Sequence, residues 1–265
     1  MGKEKDRKHM PLLLDLDNTL LPSKLAYEFA IEKLAEDWSQ KNFGTDFLEL
    51  YEKARKEVKN QLSFHSSNRL RILCFKLMLE KKTKGLESKI IKDILWLDDR
   101  YFLHFESFLQ NQKKKPDYTK ELFPRLVQIS EREPVFLVTN ETLRTQLLKL
   151  QNFFPPEFRY QLITSEEVGF EKPSTEFFSY VLRKVDAKRE DCLMVGDNWE
   201  DDILGAAKHG ITAVHLKSQF GEKSALEPVK IPDSKEFPFG SKIYSSTNVL
   251  DSLDFVWDRL SQSQK

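Results

Sequence analysis

Two aspartates one residue apart, Asp15 and Asp17, end a short apolar run in the segment PLLLDLDNTL. At the C-terminal end of a strand such a pair can bind a metal, or act as a nucleophile beside an acid–base group. Taken alone it could equally be a solvated acid pair. A second acidic group, GDNWEDD, follows the apolar run CLMV and supplies Asp197, Asp201 and Asp202. Asp201 and Asp202 also suit a first helical turn, where the macrodipole favours acids. Asp197, beside a turn glycine, has no such capping job. Thr139 and Asn140 close the run PVFLVTN, and Lys172 stands before Pro173 and a helical stretch. Each is weak singly, since a threonine after a strand is often a cap and a lone lysine usually a surface charge. Together they amount to two acids, a hydroxyl, a lysine and a third acid. Carboxylates gathered this closely repel unless a cation joins them, and hard oxygen donors select Mg²⁺. A lysine and a hydroxyl beside that ion describe a phosphoryl-binding site.

For these side chains to meet, the segments carrying them must share one sheet edge. Buried strands are expected in PLLL, PVFLVTN, YQLITSEE, CLMVGD, ITAVHL and KIYSS, all short apolar or β-branched runs. Between and after them lie helical stretches: ETLRTQLLKL, STEFFSYVLRKV with Ser174 as its N-cap, DDILGAAKHG with Gly210 past its end, and NVLDSLDFVWDRL. Strands alternating with helices predict a parallel, doubly wound sheet, whose ligands bind beyond the C-terminal strand ends. From Lys24 to about Glu131 the chain shows only helical periodicity. In LAYEFAIEKLAEDW, Leu25, Phe29, Ile31, Leu34 and Trp38 fall mostly along one face. Further helices are expected over 46–61, 67–81, 87–98, 99–110 and 118–130. Residues 217–242, with Pro228, Pro232 and Pro238, read as a loop. The expected fold class is therefore α/β: a Rossmann-like doubly wound core from 1–21 and 114–265, with an all-α domain inserted over 22–113.

Composition narrows the partners. The 265 residues carry 42 Lys+Arg against 42 Asp+Glu, and this balance argues against a nucleic acid polymer or an anionic membrane surface as partner. No apolar run is long enough to span a bilayer. The charged start MGKEKDRKHM lacks the apolar stretch of a secretory signal, and Asp6 stands where a myristoylation site at Gly2 would need Ser or Thr. Two cysteines, Cys74 and Cys192, without metal-site spacing suit a reducing compartment, so a cytoplasmic location is expected.

In this order, DLDNTL, VTN, the lysine of GFEKPSTEFF and GDNWEDDILGA resemble the four motifs of the haloacid dehalogenase-like hydrolases. The resemblance covers Leu12–Leu21 and about Leu122–Leu216, and the last motif is the most distinctive. The helical insertion is similar to the family's C1 cap. Members mostly transfer phosphoryl groups through an aspartyl-phosphate. The resemblance implies that Asp15 is the nucleophile and a Mg²⁺ ligand. It makes Asp17 the general acid and then the base, with a pKa raised relative to that of Asp15 and a carbonyl on the metal. Asp197 would complete the metal site, with Asp202 a ligand through water or a partner behind the ligands. Thr139 would bond the phosphoryl oxygens and Lys172 would stabilise their charge, with Asn18 and Asn140 contacting substrate. An acid at position 17 favours cleavage of a phosphate ester over a carbon–halogen or carbon–phosphorus bond, because an alkoxide needs a proton. A phosphomutase uses the same acid and is the alternative within enzymes. A non-catalytic binding or regulatory protein is the alternative outside them, and the intact set of acids and lysine speaks against it.

Substrate choice in such proteins lies with the cap. FHSSNRLRILCFKLMLE offers Arg69 and Arg71 as contacts for a second anionic group, against the plainer reading of a helix exterior facing water. The many phenylalanines in and near the insertion read as core rather than as base-stacking platforms. DNTL and NWEDDILGA look closest to the nucleotidase and sugar-phosphate phosphatase branch. The expectation is a Mg²⁺-dependent phosphatase for a small phosphorylated metabolite.

Overall fold

The computed structural model describes residues 9–63, 65, 70–230, 237 and 242–262. Arg69, Pro232 and Pro238 lie outside the described residues. Among the described residues the chain divides into two units: Ser23–Lys113 with Glu141–Phe153, and the remainder.

The remainder is built on a sheet of β1 (Leu12–Leu14), β2 (Val135–Thr139), β3 (Gln161–Thr164), β4 (Leu193–Gly196), β5 (Thr212–Leu216), β6 (Glu227–Val229) and β7 (Ile243–Ser246). Their order across the sheet is β3-β2-β1-β4-β5-β7-β6, parallel throughout except for the antiparallel β6–β7 pair. The three leucines of β1 are fully buried, which is why its sequence is an unbroken apolar run and not an alternating one. Leu14 pairs with Leu137 on one side and Val195 on the other, so β2 and β4 run two residues and one residue past the end of β1. The chain winds outward from β1 to β3, returns, and continues from β4 in the other direction. That reversal makes the C-terminal ends of β1 and β4 the switch point at which sheets of this kind bind ligands.

Against this sheet pack α5 (Phe123–Ser130), α7 (Ser165–Val168), α8 (Thr175–Val185), α9 (Gly205–Lys208) and α10 (Val249–Gln262). One core joins Leu13, Phe136, Val138 and Met194 of the strands to Phe177, Phe178, Val181 and Ala206 of the helices. Ser174 caps α8 as expected, its hydroxyl accepting from Phe177 N–H at 3.2 Å. Gly210 follows α9 at a left-handed φ of 80°. The segment 217–242, read as a loop, contains β6. This short edge strand escapes a pattern search because it is three residues long and carries Pro228, which is tolerated only at a sheet edge.

The helical unit contains α1 (Ser23–Gln40), α2 (Phe47–Gln61), α3 (Arg71–Thr83), α4 (Ser88–Gln112) and α6 (Leu143–Leu150). Its first helix buries Ala26, Ala30, Leu34 and Trp38, one residue per turn, together with Ile31; Leu25, expected on that face, is 55% exposed. The stretches 87–98 and 99–110, read as two helices, form the single helix α4. The acids Asp98 and Asp99 are no break, because Asp98 is buried and paired. Helix α6 follows β2 in the chain yet belongs to the helical unit: Arg144 approaches Asp98 at 3.7 Å, and Lys149 lies 5.7 Å from the centroid of the Phe105 ring. No described helix is long and apolar enough to cross a membrane.

Gly205 begins α9 where a Cβ would lie 2.5 Å from the Phe178 ring and 3.0 Å from Pro173 Cβ. Gly205→Ala, which ordinarily favours a helix, is expected to destabilise the protein by about 1–3 kcal/mol through overpacking, read as a lower urea midpoint with an unchanged m-value.

Candidate active site

Asp15 leaves β1 bonded by its N–H to Val195 C=O at 2.9 Å, which ties it to the end of β4. The chain then turns tightly: Leu20 N–H and Leu21 N–H both donate to Leu16 C=O, and Asn18 N–H donates to Leu21 C=O at 2.7 Å. Asn18 adopts φ 64°, a left-handed conformation that asparagine tolerates better than most residues. Leu16, Leu20 and Leu21 are buried beneath the turn, while Asp17 is half-buried and Asn18 exposed. Thr19 completes the turn by donating to Asp197 Oδ1 at 3.4 Å.

Lys172 occupies the centre. Its ammonium donates to Asp15 Oδ1 at 2.7 Å, Asp202 Oδ1 at 2.6 Å and Val138 C=O at 3.0 Å, using all three of its protons. Burial works against its charge, but Asp15 and Asp202 hold its pKa above the ordinary lysine value. Asp15 is itself pushed well above the carboxylate range by burial; Lys172 opposes this, and Asp202 and Asp197 reinforce it. Asp197 is pushed up to about 6 by burial and by the neighbouring Asp202. Oxygens of Asp15, Asp197 and Asp202 lie within 4.8 Å of one another.

Asp202 combines two roles that looked like alternatives in the sequence. One oxygen binds Lys172, and the other accepts Asn198 N–H at 3.1 Å in the first turn of a π-type segment, Trp199–Leu204. Asn198 caps this segment, its Oδ1 accepting from Glu200 N–H and Asp201 N–H at 3.0 Å each. Asp202 reaches beneath the strand end only because residue 196 is glycine: a Cβ there would stand 2.3 Å from Asp202 Oδ2. His215, at the end of β5, donates Nε2–H to Asp197 C=O at 3.1 Å and steadies the backbone behind that acid. Nothing local in the sequence marks the parts played by Gly196, Asn198 and His215. Gly196 reads only as a turn residue, and the partners of the other two are visible only once strand register is known.

The α/β unit thus brings Asp15, Asp197, Asp202 and Lys172 into one cluster, with Thr139 buried at the end of β2 beside Val138. Asn140 turns its side chain onto the Lys172 main chain. Arg71 belongs to the interior of the helical unit. Its guanidinium meets Asp98 at 3.1 Å and stacks on Tyr101 and Phe102 at 4.2 and 4.3 Å. A water-facing helix exterior is therefore incorrect for Arg71; its partner lies 27 residues further on, beyond the reach of local periodicity.

The family model for haloacid dehalogenase-like hydrolases matches residues 12–210. The chain is 32% identical over 210 residues to the ribulose-1,5-bisphosphate 5-phosphatase of Halopiger xanaduensis, covering 77% of this chain and 82% of that protein. It is 27% identical over 230 residues to the glyceraldehyde 3-phosphate phosphatase of Methanopyrus kandleri, covering 85% and 91%. The fold is shared with the HAD-hydrolase YfnB of Bacillus subtilis, solved with bound magnesium, at a TM-score of 0.59 and 21% identity over 96% of this chain and all of that one. The chain belongs to the haloacid dehalogenase-like hydrolases. It is a hydrolase with a Rossmann-like core and a helical cap.

Because the folded pKa of Asp197 lies above that of an unfolded aspartate, its ionisation opposes folding. The metal-free protein therefore loses stability as pH rises from the unfolded value through about 6. In EDTA, the Tm of Asp197→Asn minus that of the wild type is expected to rise between about pH 4 and about pH 7. A difference that stays flat across a thermal-melt series would count against the strained carboxylate.

Proposed function

We propose that the chain is a Mg²⁺-dependent phosphatase of a small phosphomonoester, foremost a sugar phosphate, and that Asp15 forms an aspartyl-phosphate during turnover. The observation that carries this reading is the Lys172 ammonium, buried between Asp15 and Asp202 at 2.7 and 2.6 Å, with Asp197 beside them. Three acids facing one ammonium leave the cluster net negative, and oxygen donors of this kind fit Mg²⁺. Asp15, Asp197 and the Asp17 carbonyl would hold the ion, with Asp202 in contact or behind. When bound, Mg²⁺ would offset the charge of the phosphoryl oxygens.

Asp15, paired with Lys172, attacks phosphorus with one carboxylate oxygen as the ester oxygen departs. Asp17 lies two residues on, in the turn pinned by Leu16, Leu20 and Leu21. It gives its proton to the departing alkoxide, then takes one from the water that hydrolyses the acyl phosphate. Lys172 draws negative charge from the phosphoryl group while remaining bonded to Asp15, and the Thr139 hydroxyl donates to a phosphoryl oxygen. The relatives named for ribulose 1,5-bisphosphate and glyceraldehyde 3-phosphate favour a short phosphorylated sugar over a nucleotide.

The test is phosphate release from a panel of sugar phosphates, nucleotides and phosphorylated acids. EDTA should abolish turnover and Mg²⁺ restore it, and Asp15→Asn should be silent at equal folded concentration; activity retained in that variant would remove Asp15 as nucleophile. Absence of turnover on the whole panel would favour a mutase or a binding role. Asp17→Asn separates its role by leaving group. The loss should reach about 100- to 10,000-fold on an alkyl phosphate and be far smaller on p-nitrophenyl phosphate, whose phenolate departs without a proton. Equal losses on the two substrates would contradict general-acid catalysis by Asp17.

A further inference from the structure

Asn140 spends its amide on one partner. Oδ1 accepts Lys172 N–H at 2.7 Å and Nδ2 donates to Lys172 C=O at 2.9 Å. This is the two-bond exchange that opposed residues of neighbouring strands make, performed here by a side chain. The β2–β3 ladder ends at Thr139 and Thr164, and Lys172 lies further on, in the turn between α7 and α8. Its ammonium also returns to β2, donating to Val138 C=O at 3.0 Å. Lys172 is thus anchored at both ends to the last residues of one strand, at its main chain by Asn140 and at its tip by Val138.

We propose that Asn140 is a positioning residue: it sets the Lys172 backbone so that the ammonium reaches Asp15 and Asp202 together, and it acts on the reaction through Lys172 without touching substrate. The inference rests on the phosphatase reading above, in which Lys172 meets the phosphoryl group. Turning the Asn140 amide onto a substrate would leave the Lys172 N–H and C=O without the pair of bonds it gives them, a costly exchange at a part-buried site. Asn140→Asp is isosteric, yet it sets a carboxylate oxygen against the Lys172 carbonyl where a donor stood.

The experiment is a double-mutant cycle on p-nitrophenyl phosphate, with folding followed by circular dichroism. Asn140→Ala should lower kcat about 100-fold through misplacement of Lys172, with KM little changed. In a Lys172→Ala background the same substitution should change kcat by less than about twofold, since nothing remains to be positioned. Asn140→Asp should fall as far as Asn140→Ala, and serves in its place if the alanine variant does not fold. A loss that persists undiminished without Lys172, or a raised KM at constant kcat, would overturn the proposal in favour of direct substrate contact. If Lys172→Ala leaves no measurable turnover, the cycle is read as the Kd for orthovanadate by calorimetry, with the same two outcomes. A wild type that hydrolyses nothing counts against the phosphatase reading alone, because the orthovanadate arm needs no turnover.

Discussion

The contact on which the rest of the site depends is one ammonium between two carboxylates. Asp15 and Asp202 are buried, and charges taken from water stay charged only when closely paired. Lys172 provides the pairing for both and fills its third bond with a strand carbonyl, so no proton of the ammonium is left without a bond in the interior. Asp197 joins the cluster and is pushed up to about 6 by its burial and by the neighbouring Asp202.

The groups that make this contact come from four parts of the chain, at residues 15, 138, 172 and 202. Their meeting follows from the strand order. With β1 between β2 and β4, and their ends within two residues of one another, the carboxylate of Asp15, the carbonyl of Val138 and the turn after Gly196 are neighbours before any side chain is chosen. Close approach then does the rest. Gly196 admits the Asp202 carboxylate beneath the strand end, and Gly205 lets the following helix settle on Phe178 beside Pro173.

Much of this was legible in the residues. Apolar runs ending in acids marked the strand ends, and Asp15, Asp197 and Lys172 could be assigned to one edge because parallel sheets bind ligands there. The rest depended on partners distant in sequence. Arg71 has the look of an exposed helix residue until Asp98 is known to face it. Asn140, next to Thr139, invited the role of its neighbour; the bonds its amide makes are to a residue 32 positions away. Helix α6 reads as an ordinary crossover after β2, and nothing in its periodicity reveals that its companions are Phe105 and Asp98.

That placement of α6 bears on how such a protein could be rebuilt by recombination. The helical unit is not one insertion but two pieces of chain, Ser23–Lys113 and Glu141–Phe153, with strand β2 threaded between them. A chimera made by exchanging only the longer piece would bring in a foreign α4 while retaining the native α6, whose Lys149 and Arg144 are matched to Phe105 and Asp98. The helical unit transplanted between relatives would therefore travel as a pair of segments with four junctions. The last of the core residues before the third junction is Asn140, the same residue that holds the lysine.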